Sequence, residues 1–135
     1  MAAYVARQLT LKLSSTYANL KDCRVLVMGA TFKENVSDIR NSKVADVISE
    51  LKEFGVKVDV VDPFASPEEI REEYDFELSP SIEGPYHGIV VAVNHKPYAE
   101  MDEAYFKSIA HEGAVFADLK GIFRGQISEL QYWSL

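Results

Sequence analysis

The sequence predicts an α/β domain with a Rossmann-like, open, mostly parallel β-sheet, helices on both faces of the sheet, and a helix before the first strand. Strands are predicted at residues 23–29, 56–61, 88–93 and 114–118, and the apolar runs in the first and third are typical of buried strands. A helical pattern separates the first two strands, and a strand–helix–strand order implies parallel strands with a right-handed crossover. At 135 residues, the chain has the length of about one domain.

The first two helices are predicted from periodicity and from end signals. Residues 2–20 carry many apolar side chains, although these do not fall on one narrow stripe. Residues 41–54 place apolar side chains at the i, i+3, i+4, i+7 spacing of a helix face: Val44, Val47, Ile48 and Leu51. Asn41 or Ser42 can cap the start of this second helix, and Gly55 is expected to end it.

The second half of the chain is predicted to complete the alternation of strands and helices. Pro67 and the two glutamates after it begin a short helix, since proline suits the first turn and acidic residues suit its positive end. We expect a short edge strand at 75–78 and a helix at 101–110. The tail, residues 122–135, shows no single pattern, and we expect its apolar side chains to dock on the rest of the domain.

The composition restricts the class of protein. The net charge is −7, from 21 acidic and 14 basic residues, which argues against nucleic acid or an anionic membrane as the main partner. No apolar run is long enough to span a membrane and the N-terminus lacks the layout of a secretion signal, so we expect a cytoplasmic protein without a membrane partner. Cys23 has no second cysteine to pair with, and one cysteine with three scattered histidines predicts no metal site.

The loop after the first strand is the strongest candidate for a binding site. It carries Lys33 and Arg40, seven residues apart, at the carboxyl end of a strand, where ligands bind in open α/β sheets. Lysine binds phosphate as a point charge and arginine as a fork, and Phe32 would supply a flat apolar wall. Alternatively, both cations are solvated, or Arg40 pairs with Asp38 or with an acidic residue of the helix. The loop has neither the G-x-G-x-x-G pattern nor a P-loop, so side chains would have to hold any nucleotide.

Four residues elsewhere in the chain have two interpretations each. Asp62, at the end of the second strand, could contact a ribose, but capping the turn before Pro63 is favoured because the glycine pattern is absent. His95 could act as an acid or base, although a locally bonded loop histidine is the commoner case, so the roles of both residues stay open. Lys120 is either a third cation for the ligand or a surface lysine. Cys23 is either a nucleophile or, as we favour, a small buried residue.

One motif in this chain is specific enough to suggest a family. Residues 29–43, Gly-Ala-Thr-Phe-Lys-Glu-Asn-Val-Ser-Asp-Ile-Arg-Asn-Ser-Lys, closely resemble the C-terminal domain of the UDP-glucose/GDP-mannose dehydrogenase family. Segments 60–63, 91–95, 117–121 and 132–135 also match, in the right order. The resemblance covers nearly the whole chain. It is most similar to the branch that oxidises UDP-N-acetylglucosamine or UDP-N-acetylgalactosamine to uronic acids for bacterial surface polysaccharide.

The resemblance implies the organisation and activity of a longer protein. Family members join an NAD-binding Rossmann domain, a helical dimerisation segment and a C-terminal UDP-binding domain. They oxidise C6 of the sugar from alcohol to carboxylate in two hydride transfers to NAD. Residues 1–20 would be the end of the connecting helix, and residues 21–135 the UDP-sugar-binding domain of a homodimeric enzyme. The NAD domain and the catalytic cysteine would lie upstream, so we expect this chain to be inactive alone.

The same motif implies roles for individual residues. Phe32 and Lys33 match positions that contact the UDP-sugar, and Arg40 matches the position that reaches NAD across the domain interface. Lys120 matches a position where some members place an arginine, and lysine keeps the charge but loses the fork. None of these residues is expected to be catalytic. The sequence does not fix which UDP-sugar binds or the oligomeric state of this chain, and the alternative function is a free-standing, non-catalytic module that binds a nucleotide or a partner.

Overall fold

The computed structural model describes residues 2–135 and contains one five-stranded sheet in which every pair of neighbouring strands is parallel. Its strands lie in the order β2-β1-β3-β4-β5, with bounds β1 Arg24–Met28, β2 Lys57–Val61, β3 Tyr86–Val91, β4 Ala110–Asp118 and β5 Gln131–Ser134. The helices are α1 Ala2–Thr16, α2 Lys43–Glu53, α3 Pro67–Glu73, α4 Lys96–Ala99 and α5 Glu103–Ser108, with a 3-10 helix at Leu20–Asp22. The predicted fold class is confirmed.

Helices cover both faces of the sheet because successive side chains of each strand point to opposite faces. Val25 and Val27 of β1 join the core that lies against α1, α2 and α3. Leu26 and Met28 of the same strand join the second core, which lies against α4 and α5. All four side chains are fully buried, so β1, which lies between β2 and β3, contributes to both cores.

The first helix packs through a narrower stripe than the sequence suggested. Val5, Leu9 and Leu13 are almost completely buried, at helical spacing, against the sheet and α2. Tyr4 and Leu11 are 51% and 56% exposed, so the apolar positions that spoiled the stripe in the sequence face outward. The helix also ends at Thr16 rather than at residue 20.

Two predicted elements in the second half are corrected. Residues 75–78 form no strand: Phe76 is buried in the first core and stacks on Tyr74, so its apolar character reflects a docked loop. The helix predicted at 101–110 is shorter, because Asp102 caps it at the start and β4 already begins at Ala110.

The tail docks on the domain as predicted, but it does so as a fifth strand. β5 pairs in parallel with β4, with Tyr132 beside Phe116 and Trp133 beside Ala117. All four side chains of β5 are only half-buried, since the strand lies at the edge of the sheet. An edge strand of this kind has no continuous apolar run, which is the signal that revealed the central strands.

The two ends of α2 differ in how closely they follow the prediction. Gly55 adopts a φ of +88° and ends the helix as predicted. Ser42 occupies the position of the N-terminal cap, but its side chain makes no capping hydrogen bond, and its buried hydroxyl oxygen has no partner among the described residues.

None of the helices within residues 2–135 is long and apolar enough to cross a membrane.

Candidate functional site

The parallel strands bring four loops to one edge of the sheet. These loops follow β1 at 29–42, β2 at 62–66, β3 at 92–95 and β4 at 119–121. A cleft of about 330 Å³ opens there, between this edge and the first turns of α1 and α2. Its position, outside the carboxyl ends of parallel strands, is the usual position of a ligand in an open α/β sheet.

The wall of the cleft is apolar and its charged side chains all have one sign. Three lysines line it, Lys33 from the loop after β1, Lys43 from α2 and Lys120 from the loop after β4. No aspartate or glutamate is among the lining residues, although the chain as a whole carries a net charge of −7. None of the three lysines pairs with a carboxylate in the described part of the chain. Cations that are brought together without counter-charges favour an anionic ligand.

The structure brings three of the four residues singled out from the sequence into this cleft. Phe32, Lys33 and Lys120 all line it, and the Phe32 side chain is 58% exposed, which is unusual for a large apolar residue with no partner. Lys120 and Lys33 therefore line the same cleft at the same sheet edge, from loops whose strands are separated by β3.

Arg40 does not line the cleft. Its side chain is 81% exposed, and its guanidinium pairs with Asp38 through two hydrogen bonds, Nε to Oδ1 at 3.1 Å and Nη2 to Oδ2 at 3.0 Å. This is the pairing that the sequence left open as an alternative. The guanidinium hydrogen bonds, helped by the Arg40 backbone N–H, hold the pKa of Asp38 at about 2. Asp38 thereby fixes the direction of the arginine fork while leaving one side of it open to solvent.

Lys43 was missed in the sequence, although a signal was present. It is the first residue of α2, where the partial positive charge of the helix N-terminus disfavours a cation. A lysine at the first position of the helix therefore has no local electrostatic advantage. A cation at an electrostatically unfavourable position is a reason to look for a bound anion.

Beneath the cleft, Asp62 joins the loops after β1 and β2. Its Oδ2 accepts hydrogen bonds from the backbone N–H groups of Ala30 at 2.7 Å and Thr31 at 3.2 Å. Its Oδ1 accepts from the N–H groups of Phe64 at 2.7 Å and Ala65 at 3.0 Å. The turn-capping role favoured from the sequence is thus correct, and the carboxylate also holds the loop after β1. Burial alone would raise the pKa of Asp62, but these hydrogen bonds and one from His95 outweigh it and lower the pKa.

His95 connects the loop after β3 to the loops that Asp62 joins, and we call this meeting point of three loops the junction. The ring is fully buried, and its Nε2 lies 2.9 Å from Asp62 Oδ2 and 3.1 Å from Thr31 Oγ1. Its Nδ1 accepts the backbone N–H of Asn35 at 2.9 Å. Because Nδ1 is the acceptor, the hydrogen-bond partners assign the ring proton to Nε2. The locally bonded histidine expected as the commoner case is the one that the structure shows.

The Thr31, His95 and Asp62 side chains do not form a nucleophilic relay. In such a relay the histidine takes a proton from the hydroxyl at one ring nitrogen and is held by the carboxylate at the other. Here both the hydroxyl and the carboxylate meet the same nitrogen, which already carries a proton, and Thr31 donates its own proton to Lys33 O at 2.8 Å. The arrangement can only position the loop.

Asp118 holds the loop that carries Lys120, as Asp62 holds the loop that carries Lys33, by accepting backbone N–H groups. It is fully buried at the end of β4 and accepts the backbone N–H groups of Ile122 at 3.2 Å and Phe123 at 2.8 Å. Tyr132 donates to it from β5 at 2.6 Å.

Within residues 2–135, no group of three or more histidine, cysteine, aspartate or glutamate side chains is arranged to hold a metal ion.

Fold and cleft together define an α/β ligand-binding domain with a cationic cleft at the carboxyl edge of a parallel sheet. The family model described as "UDP-glucose/GDP-mannose dehydrogenase family, UDP binding domain" matches residues 26–125, which include the whole loop after β1 and Lys120. The chain belongs to this family.

Curated relatives agree with that assignment, and a solved structure shares the fold. The chain is 36% identical to UDP-N-acetyl-D-glucosamine 6-dehydrogenase of Pseudomonas aeruginosa over 132 residues, which are 97% of this chain and 31% of that protein. It is 37% identical to Protein CapL of Staphylococcus aureus over 123 residues, 90% of this chain and 29% of that protein. The fold is similar to that of NDP-N-acetyl-D-galactosaminuronic acid dehydrogenase from Methanosarcina mazei, with a TM-score of 0.79, 20% identity and coverage of 98% of this chain and 28% of the other. The chain thus spans less than a third of the length of these relatives.

Proposed function

We propose that this chain is the nucleotide-sugar-binding domain of an NAD-dependent UDP-sugar 6-dehydrogenase. The observation that carries the proposal is the cleft lined by Lys33, Lys43 and Lys120 and by no acidic side chain, in a chain with a net charge of −7. A nucleoside diphosphate sugar presents two adjacent negative phosphates and an otherwise uncharged body. An apolar cleft with clustered lysines is complementary to both parts.

Each lining residue has a physical role in this proposal. Lys33 and Lys120 approach from two different loops and neutralise the pyrophosphate as point charges. Phe32, more than half exposed, packs its ring on the uracil or the sugar and is desolvated when the ligand binds. Holding the substrate in one orientation contributes to catalysis even though none of these groups takes part in bond making.

NAD is proposed as the cofactor of the longer protein, where it accepts hydride from C6 of the sugar. The residues present here do not form a complete site for it, because the loop after β1 lacks the glycines that let a pyrophosphate approach the backbone. Arg40 fits a single contact to such a group, since its fork is exposed, held by Asp38 and separate from the lysine cleft.

The remaining expectations about the longer protein are proposals of the same kind. We propose a homodimer in which α1 is the end of a connecting helix, and a role in the synthesis of surface polysaccharide. The substrate class is a UDP-N-acetylhexosamine, the class named for the relative from Pseudomonas aeruginosa. A cytoplasmic location is compatible with the single buried thiol.

Titration of the chain with UDP in a calorimeter tests the site. Lys33→Ala should weaken binding by about tenfold or more, since one charge-assisted hydrogen bond contributes roughly 1.5–3 kcal/mol. Cys23→Ser is the control, because Cys23 is buried before β1 at the opposite edge of the sheet. Equal effects of the two substitutions would contradict the assignment of the site.

A second experiment tests whether this chain alone can catalyse the reduction of NAD. Mixing the 135-residue chain with NAD and UDP-N-acetylglucosamine should give no increase in absorbance at the NADH band. The physical reason is that its one thiol is buried and lies at the edge of the sheet away from the cleft. Steady turnover would refute the proposal that catalysis needs residues outside this chain.

A further inference from the structure

The buried ring of His95 has a second connection, to the segment that carries Phe32 and Lys33. At the start of this segment, Thr31 Oγ1 lies 3.1 Å from Nε2 and donates to the carbonyl of Lys33 at 2.8 Å. At its end, the N–H of Asn35 donates to Nδ1 at 2.9 Å. The imidazole therefore holds residues 31–35 at both ends, although His95 itself does not line the cleft.

We call these contacts of the His95 ring with Thr31 and Asn35 the His95 clamp. Asn35 suits its end of the clamp through both its backbone conformation and its side chain. Its φ of 59° is in the left-handed region, which asparagine tolerates better than most residues. Its side-chain oxygen accepts the backbone N–H of Lys96, the residue that follows His95. The loop after β1 is thus attached to the start of α4 by two hydrogen bonds that run in parallel, one to the ring and one to the backbone beside it.

The cleft side chains themselves have no other restraint. Phe32 and Lys33 are both exposed, and neither side chain forms a hydrogen bond or an ion pair within the described residues. Their direction is therefore set by the backbone of residues 31–35. Whatever fixes that backbone decides whether the two side chains point into the cleft before a ligand arrives.

We propose that His95 is a positioning residue for nucleotide binding: through Thr31 and Asn35 it pre-orders residues 31–35, so that Phe32 and Lys33 meet the nucleotide without further ordering. The proposal rests on the proposed function. Fixing the backbone of one residue is enough to change affinity by about tenfold, so loss of the clamp should weaken binding measurably without removing any contact to the ligand.

Two substitutions of the ring separate its contacts. In His95→Asn the amide oxygen replaces Nδ1, so the acceptor for Asn35 is kept while the Nε2 contacts to Asp62 and Thr31 are lost. Thr31 is still held by its N–H on Asp62 and by its hydroxyl on the Lys33 carbonyl. In His95→Gln the amide nitrogen replaces Nε2, so the contact to Asp62 is kept while the acceptor for Asn35 is lost. Both variants lose stability, but only His95→Gln releases the Asn35 end of segment 31–35.

The experiment is UDP titration at a temperature where every variant is folded by circular dichroism. We expect His95→Gln to bind about tenfold more weakly than the unaltered chain, and His95→Asn to stay within about threefold of it. Arg24→Ala is the matched control for stability, because its ion pair with Asp59 lies at the amino edge of the sheet, and its affinity should be unchanged. If His95→Gln binds UDP as tightly as Arg24→Ala does, the proposal is overturned.

Hydrogen exchange on the unaltered full chain decides the same question without a variant or a nucleotide. The amide of Asn35 should exchange as slowly as the amides of β1, although it lies in a loop, because the buried ring accepts it. Exchange at the rate of an exposed loop would overturn the clamp even if UDP binds. If UDP does not bind the unaltered chain, the proposed function fails, and this exchange rate alone decides the role of His95.

Discussion

An Asp62→Asn substitution should break the junction that holds the loops after β1, β2 and β3 together. The carboxylate accepts four backbone N–H groups and the Nε2–H of His95, and its side chain is fully buried. An amide has one oxygen to offer, which can still serve the two N–H groups of the turn after β2. Its NH2 group then faces the donors of Ala30, Thr31 and His95.

The size of the effect follows from those three donors. A buried donor without an acceptor costs about 1–3 kcal/mol, and small backbone shifts that admit water bring the sum toward the lower end of the range. We therefore expect a loss of about 3–4 kcal/mol in the free energy of unfolding. With a urea m-value of about 2 kcal/mol/M for a domain of this size, the unfolding midpoint should fall by roughly 1.5–2 M.

Urea unfolding followed by circular dichroism at neutral pH measures this shift. Asp59→Asn is the matched control, since Asp59 lies on β2, just before Asp62, but is 35% exposed at the side chain and pairs with Arg24 at 3.1 Å. The Tyr86 hydroxyl also donates to Asp59 at 2.7 Å, and the amide oxygen of asparagine keeps an acceptor for it. A partly exposed ion pair of this kind contributes about 1 kcal/mol or less, so its midpoint should fall by about 0.5 M or less. Midpoints that fall equally in the two variants would refute the junction.

The pH dependence gives an independent check on the same substitution. Hydrogen bonds to the carboxylate lower the pKa of Asp62 in the folded chain below its unfolded value of about 3.9. The stability that this lowering contributes is present above that pH and is lost as the pH falls through the folded pKa. The difference between the unaltered chain and Asp62→Asn should therefore be constant from pH 7 to about pH 5 and shrink below about pH 4.

Two further predictions concern the loop after β1. Gly29→Ala should destabilise the chain by about 2–4 kcal/mol in the same urea assay, because its φ is +103° and a Cβ there would lie 2.6 Å from Cβ of Val93; a midpoint within 0.5 M of the unaltered chain, roughly 1 kcal/mol, would contradict this. Arg40→Ala should move the NMR titration midpoint of the Asp38 carboxyl carbon from about 2 toward the ordinary value of about 3.9, and an unmoved midpoint would mean that the fork does not set the pKa.

The central strands could be predicted from the sequence because each is a run of apolar residues buried on both faces. The same signal fails at the edges of the sheet. β5 has half-buried side chains, and its Tyr132 and Trp133 look like a docking tail until the strand order places them beside β4. The segment around Phe76 has the apolar character of a short strand, but its backbone runs as a loop that docks on the core.

The cleft was partly predictable for a similar reason. Lys33 and Lys120 each follow a recognisable strand, and parallel strands bring their carboxyl ends together. The junction beneath them was not predictable from local patterns, since Thr31, Asp62 and His95 are about thirty residues apart in sequence and meet only through the β2-β1-β3 order. For Asp62 and His95 the sequence showed the right residue types at strand ends but not that they contact one another.

Mapping UDP onto the amide resonances of the chain tests most directly whether the nucleotide binds at the carboxyl edge of the sheet. A ¹H–¹⁵N spectrum recorded through a UDP titration should show saturable shifts at residues 31–33, 41, 43, 44, 119 and 120, which line the cleft. Residues 86–88 and 110–112, at the amino edge of β3 and the start of β4, should stay unmoved. Shifts confined to the amino edge, or no saturable shift at any UDP concentration up to the millimolar range, would contradict the assignment of this chain as a UDP-sugar-binding domain.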